Sequence, residues 1–124
     1  MILGVGVDII GVARLRRWVN IPGICERFFH PEELADARSR GSAQVLSLAA
    51  RFAAKEAFGK ALGTGLRGIR LSDIRVNSRF NGRPEIILYR TAAEAMARAG
   101  GRRLHLSLTH ERDNAIAFVL MEGT

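Results

Sequence analysis

Residues 43–65 read AQVLSLAARFAAKEAFGKALGTG, and the fold turns on how this stretch is taken. It is the longest uninterrupted helix pattern in the chain, built mostly of strong helix formers. Ser42 is placed to cap its N-terminus, and Gly63 and Gly65 to stop it. At 3.6 residues per turn Val45, Ala49, Phe52, Glu56 and Lys60 share one face, and Leu48, Phe58 and Leu62 another. Apolar or alanine positions surround most of the helix, which predicts that it is buried between other elements. Glu56 interrupts an apolar and small stripe, with Lys60 one turn on. A charge there is costly unless it is paired or bound. Of nineteen basic residues only Lys55 and Lys60, on either side of Glu56, are lysines. Lysine is a compact point charge that can release its proton, whereas arginine keeps its own. On an exposed helix Glu56 and Lys60 would be a surface i,i+4 pair worth about 0.3 kcal/mol. On a helix this apolar they read as part of a functional site.

Upstream, residues 2–10 read as a buried first strand. Leu3, Val5, Val7 and Ile9 point one way, and Gly4, Gly6 and Asp8 the other. Asp8 thus ends a face with almost no side chains, where a backbone or a ligand can come close. Taken alone it is equally a helix N-cap at a strand–helix junction. Gly4-Val5-Gly6 lacks the third glycine and the strand–turn–helix context of a dinucleotide fingerprint. Residues 11–19 form a short helix with Arg14 and Arg17 on one face and Trp18 beside Arg14. That face reads as solvated, or as a docking surface for an acidic partner.

Residues 20–23 turn the chain. Pro31 suits a first helical position, Glu32 and Glu33 suit the positive end of a helix dipole, and His30 reads as a cap. Beyond the long helix Gly63, Gly65 and Gly68 make a flexible loop. Ile74 and Val76 alternate as a strand, and Asn81-Gly82 signals a type I′ hairpin into a return strand over residues 85–89. Thr91 with Glu94 makes a capping box for a helix ending at Gly100. Leu104, Leu106 and Leu108 point inward on a strand that ends at His110, and residues 115–121 form the last strand. His30 and His105 are read as structural or surface residues. The order β-α-α-α-β-β-α-β-β, with hairpins in the second half, gives an α+β fold: a largely antiparallel sheet around a long central helix.

A length of 124 residues predicts one domain, 1–124. Its 48% hydrophobic and 25% charged residues are those of an ordinary globular protein. The net charge of +7 implies an acidic partner, a phosphorylated ligand, nucleic acid or a membrane surface. Aromatic content of 6% argues against a base-stacking platform. The single cysteine, Cys25, rules out an internal disulfide and a Cys-based zinc site and is assigned to packing. No run reaches membrane-spanning length, and the apolar start lacks a basic leader and is broken by Asp8. The expectation is a cytoplasmic protein.

Asp8 at a strand end, Glu56 and Lys60 on a buried helix and His110 at another strand end are the residues that structure alone does not explain. Two carboxylates with few other ligands suit Mg²⁺, which keeps waters and takes substrate phosphates. Zinc would want more His or Cys. Lys60 could reach a phosphate held there, and Arg51 and Arg83 could add charge, which is the equipment for displacement at phosphorus. Two other classes compete. A non-enzymatic basic module binding acidic proteins or RNA leaves carboxylates on apolar and glycine faces unexplained. Another Mg²⁺-dependent phosphotransferase or nuclease would want a Walker loop or a larger acidic cluster.

RFAAKEAFGKALGTG, together with GVGVDI, NGRP and LSLTH, resembles the holo-[acyl-carrier-protein] synthase family of 4′-phosphopantetheinyl transferases, in order and at compatible spacing from Gly4 to about Val119. The resemblance implies an enzyme that moves the phosphopantetheine arm of coenzyme A onto a serine of apo-acyl carrier protein. The released product is adenosine 3′,5′-bisphosphate, and the reaction serves fatty acid (lipid) biosynthesis. It makes Asp8 and Glu56 the Mg²⁺ ligands and Lys60 a proton donor near the pyrophosphate. His110 falls near the nucleotide, so that Glu56, Lys60 and His110 form the catalytic set. Arg51, Lys60, Gly63, His110 and the turn carrying Arg83 and Pro84 fall at coenzyme A positions. Arg14 falls at a carrier-protein position, and Arg17 joins it by helix geometry. The short type of this family implies a homotrimer with a site at each interface, and neither nucleic acid nor membrane as partner. Ser42 and Ala43 stand where some relatives carry basic residues, with Arg38 and Arg40 slightly earlier.

Overall fold

The nineteen residues of α4 (Gln44–Leu62) are the axis on which the other elements pack. The computed structural model describes residues 1–124. Before α4 come β1 (Ile2–Gly11), α1 (Val12–Trp18), α2 (Ile24–Phe28) and α3 (Pro31–Arg38). After it come β2 (Ile74–Ser78), β3 (Pro84–Leu88), α5 (Arg90–Arg98), β4 (Arg103–His110) and β5 (Asn114–Glu122). The fold is α+β with two antiparallel sheets, β1-β5-β4 and β2-β3.

The helix is buried because its neighbours are small. In β1, a Cβ added at Gly4 would stand 2.0 Å from the Ala61 carbonyl oxygen, and one at Gly6 2.0 Å from that of Ala57. Glycine on the strand and alanine on the helix therefore let two backbones touch. From β5, Ala115, Ala117, Val119 and Met121 join the same core, packed with Leu48, Phe52 and Ala53 of α4. A smaller cluster of Phe58, Ile69, Ile74 and Ala92 sits under β2, β3 and α5. The register Asp8↔Ala117 and Ala115↔His110 carries the two ends of the sheet that matter for chemistry.

A buried ionic knot ties the helices together. Lys55 Nζ donates to Glu33 Oε1 at 2.7 Å, to the Leu71 carbonyl at 2.8 Å and to the Ile74 carbonyl. Glu33 also accepts from the backbone N–H of His30 and of Val76, each at 2.9 Å. Every polar atom of the pair has a partner, which is the condition for burying it. Burial pulls the Lys55 ammonium pKa down, and Glu33 opposes that pull.

Several local expectations give way. Ser42 does not cap α4: it lies inside a 3₁₀ turn, Gly41–Ala43, that leads into the helix, and Ala43 holds the cap position without a side-chain bond. Gly63, at φ +83°, does end the helix. The Asn81-Gly82 turn is not type I′, since Gly82 alone has positive φ. Its N–H donates to the Arg79 carbonyl, giving a longer hairpin loop. Thr91 forms no capping box with Glu94. The Asp73 carboxylate instead accepts from the Thr91 N–H at 3.1 Å and from its hydroxyl at 2.6 Å, so α5 is capped from across the fold. Helix α2 was absent from the expected order. The outer face of β1 is exposed rather than buried: Val5, Val7 and Ile9 are 54%, 55% and 58% accessible. His30 does cap α3, accepting from the Glu32 N–H at 3.0 Å.

Candidate active site

The close glycine contact between β1 and α4 sets Asp8 against the C-terminal half of the helix. Asp8 is the first residue on that inner face with a side chain, and it does not cap α1, whose cap position is Gly11. Lys60 Nζ donates to Asp8 Oδ1 at 3.1 Å and to the Val7 carbonyl at 3.0 Å. Asp8 Oδ2 is buried and has no partner. Glu56, one turn before Lys60, has its pKa raised, first by burial and then by the Asp8 charge, with Arg14 and Lys60 opposing. The structure thus brings Asp8, Glu56 and Lys60 together.

An orphaned buried carboxylate oxygen beside a second carboxylate is unfavourable without a cation. No third His, Cys, Asp or Glu completes a metal-holding group. That donor set fits Mg²⁺, which is held by one or two carboxylates together with water and substrate phosphate, and does not fit zinc.

The remaining candidates stand elsewhere. From Arg51 to Lys60 is nine residues, about 900° of rotation, so the two side chains leave α4 on opposite faces. Arg51 is buried. It bonds Asp36 Oδ2 at 2.5 Å, Ser47 Oγ, and the Val76 carbonyl at 3.4 Å. It lines a cleft of about 290 Å³ with Arg40, Ser47, Pro84 and the exposed His110. Pro84 also borders a second cleft of about 560 Å³, which holds Arg83 together with Arg79 and Arg103. Gly63 closes α4 at its Lys60 end. Arg38 turns away to Glu26, 3.6 Å distant, while Arg40 pairs with Asp36 at 2.9 Å on the cleft side.

Arg14 and Arg17 are exposed on α1, and the Arg14 guanidinium stacks 5.6 Å from the Trp18 ring centre and 5.7 Å from that of Phe52. His105 pairs with Glu122 on the outer sheet face, and Cys25 is buried.

The profile of the 4′-phosphopantetheinyl transferase superfamily matches residues 4–119, the span from Gly4 of β1 to Val119 within β5. The chain belongs to this superfamily. Within it, the similarity is to the holo-[acyl-carrier-protein] synthases, which are enzymes. The synthase of Treponema denticola is 54% identical over 123 residues, covering 99% of this chain and all of that protein. That of Treponema pallidum is 46% identical, with 99% and 98% covered. Among solved structures, the synthase of Neisseria meningitidis superposes with a TM-score of 0.89 at 37% identity, covering 98% of this chain and 99% of that one. The Helicobacter pylori synthase in complex with coenzyme A gives 0.82 at 30% identity, covering 95% and 99%.

Sequence reading missed Glu33, Asp36 and Asp73 as partners. Their signal was faint. Glu33 looks like an ordinary first-turn acid, and the one available hint was that Lys55 sits on a helix with no exposed face to receive it.

Proposed function

We propose that this synthase-family enzyme transfers the 4′-phosphopantetheine arm of coenzyme A to a serine of apo-acyl carrier protein. We further propose that the reaction depends on Mg²⁺ and supports fatty acid synthesis. The observation that carries the reading is the unpartnered Asp8 oxygen beside Glu56, with Lys60 in reach. In the transfer, the serine hydroxyl gives up its proton to water and its oxygen forms a bond to the phosphorus of the pantetheine phosphate. The pyrophosphate P–O bond breaks, and adenosine 3′,5′-bisphosphate leaves.

Asp8 and Glu56 would hold the cation, which when bound offsets charge on the pyrophosphate. Lys60, exposed at its tip, is placed to neutralise and protonate the leaving phosphate. His110, Arg40 and Pro84 line a cleft suited to the nucleotide, and the buried Arg51 shapes its wall. Arg83 stands in the adjoining cleft. Arg14 and Arg17 offer unpaired charge to an acidic carrier. The clefted half-site and the Asp8–Glu56–Lys60 half-site leave α4 on opposite faces, and β1 presents an apolar outer face. Both features support a homotrimer in which two copies complete each site. No helix of the chain is long and apolar enough to cross a membrane.

The test is to mix the protein with coenzyme A, Mg²⁺ and an apo-carrier and to weigh the carrier by mass spectrometry. The expected outcome is a gain of one phosphopantetheine arm, lost in EDTA. No gain with several carriers, from a folded protein, would overturn the reading and favour a basic binding module.

A further inference from the structure

Arg14 differs from the other exposed arginines of α1. Its guanidinium lies against two rings, Trp18 of its own helix and Phe52 of α4. Those rings meet edge to face, with centres 5.0 Å apart and planes at 82°, and Phe28 backs Trp18 at 5.2 Å. None of the molecule's ion pairs uses Arg14. An arginine that is stacked but unpaired keeps its in-plane donors free while losing much of its side-chain freedom. Phe52 lies one turn before Glu56 on the same face of α4, so the stacked guanidinium stands at the seam between the docking helix and the carboxylates. Arg17 has no such support.

We propose that Trp18 and Phe52 clamp Arg14 in a fixed pose beside Glu56, which makes Trp18 a positioning residue for docking of the acidic carrier protein. This rests on the transferase reading above. A partner carboxylate that bonds the held fork is brought to the seam between α1 and the Glu56 face of α4, so docking and alignment of the target serine become one event. The ordering cost is met during folding rather than during binding.

Two measurements test this. The first needs no activity: NMR relaxation of the arginine Nε–Hε groups in the whole protein. Arg14 is expected to be restrained and ring-current shifted, with Arg17 mobile. Restraint of Arg14 is expected to vanish in Trp18→Leu and to persist in Trp18→Phe. An Arg14 as mobile as Arg17 in the unaltered protein overturns the clamp, even if no variant folds. The second is steady-state transfer by the same two variants, with thermal melts to check folding. Trp18→Leu is expected to raise KM for the apo-carrier roughly fivefold, the size of an exposed cation–π contact, with KM for coenzyme A unchanged. Trp18→Phe is expected to restore most of that loss. An unchanged carrier KM, or equal rises in both KM values, overturns the proposal. An unaltered protein that modifies no carrier overturns the transferase reading instead, and with it the docking role, while the NMR result still decides whether Arg14 is clamped.

Discussion

Glu56 carries the sharpest expectation at the scale of single residues. Its folded pKa is raised, by burial first and by Asp8 second. A carboxylate whose pKa rises on folding contributes stability at low pH, and that contribution is lost as pH climbs through the folded value. Glu56→Gln removes this cost. In EDTA at neutral pH the variant is expected to melt at or above the temperature of the unaltered protein, and the difference should shrink in acid. Added Mg²⁺ should raise the melting temperature of the unaltered protein and leave the variant unmoved, because binding to the folded state stabilises by mass action. Transfer should fall at least a hundredfold, an order set by loss of a group that stabilises developing charge. A variant with full activity, or one that melts lower in EDTA, would sink the assignment. Asp8, Glu56 and Lys60 were legible in the sequence because each violates a local pattern: a charge on a glycine face, and a carboxylate and a lysine on an apolar helix. The two lysines nonetheless diverge. Lys60 stands in the site, whereas Lys55 is a buried strut whose partner, Glu33, lies 22 positions away. Spacing along a helix reveals i,i+4 neighbours and is blind to a pairing of that range.

Between β1 and α4 the site depends on backbone contact. Gly6 is needed for closeness rather than for an unusual φ, since a Cβ there would meet the Ala57 carbonyl oxygen at 2.0 Å. Gly6→Ala is therefore expected to cost about 3 kcal/mol, the upper range for overpacking. Equilibrium urea unfolding would read this as a lower midpoint at unchanged slope. Because the strand must move off the helix, Asp8 moves with it, and transfer should fall further than stability alone accounts for. A stability within 0.5 kcal/mol of the unaltered protein, about the spread for a surface change, would mean that the strand has slack. Element by element, periodicity recovered the long helix, β1, β4 and β5, whose patterns run for eight residues or more. It failed at the termini. The Thr91–Glu94 box, the Ser42 cap and the type I′ turn were each correct local chemistry displaced by a tertiary partner or an adjoining turn: Asp73 for the first, the 3₁₀ entry for the second, and a wider loop for the third. Helix α2, five residues long, is too short to show a period at all.

For the whole molecule, a single copy has a geometric problem that the sequence hinted at only through resemblance. Arg51, Pro84 and His110 gather on one side of α4, and Asp8, Glu56 and Lys60 on the other. Meanwhile Leu3, Val5, Val7, Ile9 and Phe118 expose an apolar sheet face that a charged, Arg-rich protein would not leave to water without use. The proposed homotrimer would answer both, since a head-to-tail arrangement would set one copy's cleft against the next copy's carboxylates. Two inactive variants should then complement. Glu56→Gln damages one half-site and His110→Ala the other, so a homo-oligomer of either has every site broken. When the two are refolded together in equal amounts, about a quarter of the interfaces pair an intact carboxylate half with an intact cleft half, and close to that fraction of activity should return. If instead each copy builds its whole site alone, mixing gives only the sum of two residual activities, however the chains associate. Val7→Lys supplies the control: a charge in the centre of the apolar face should leave the circular dichroism unchanged, shift the sedimentation of the protein to that of one chain, and abolish complementation along with transfer.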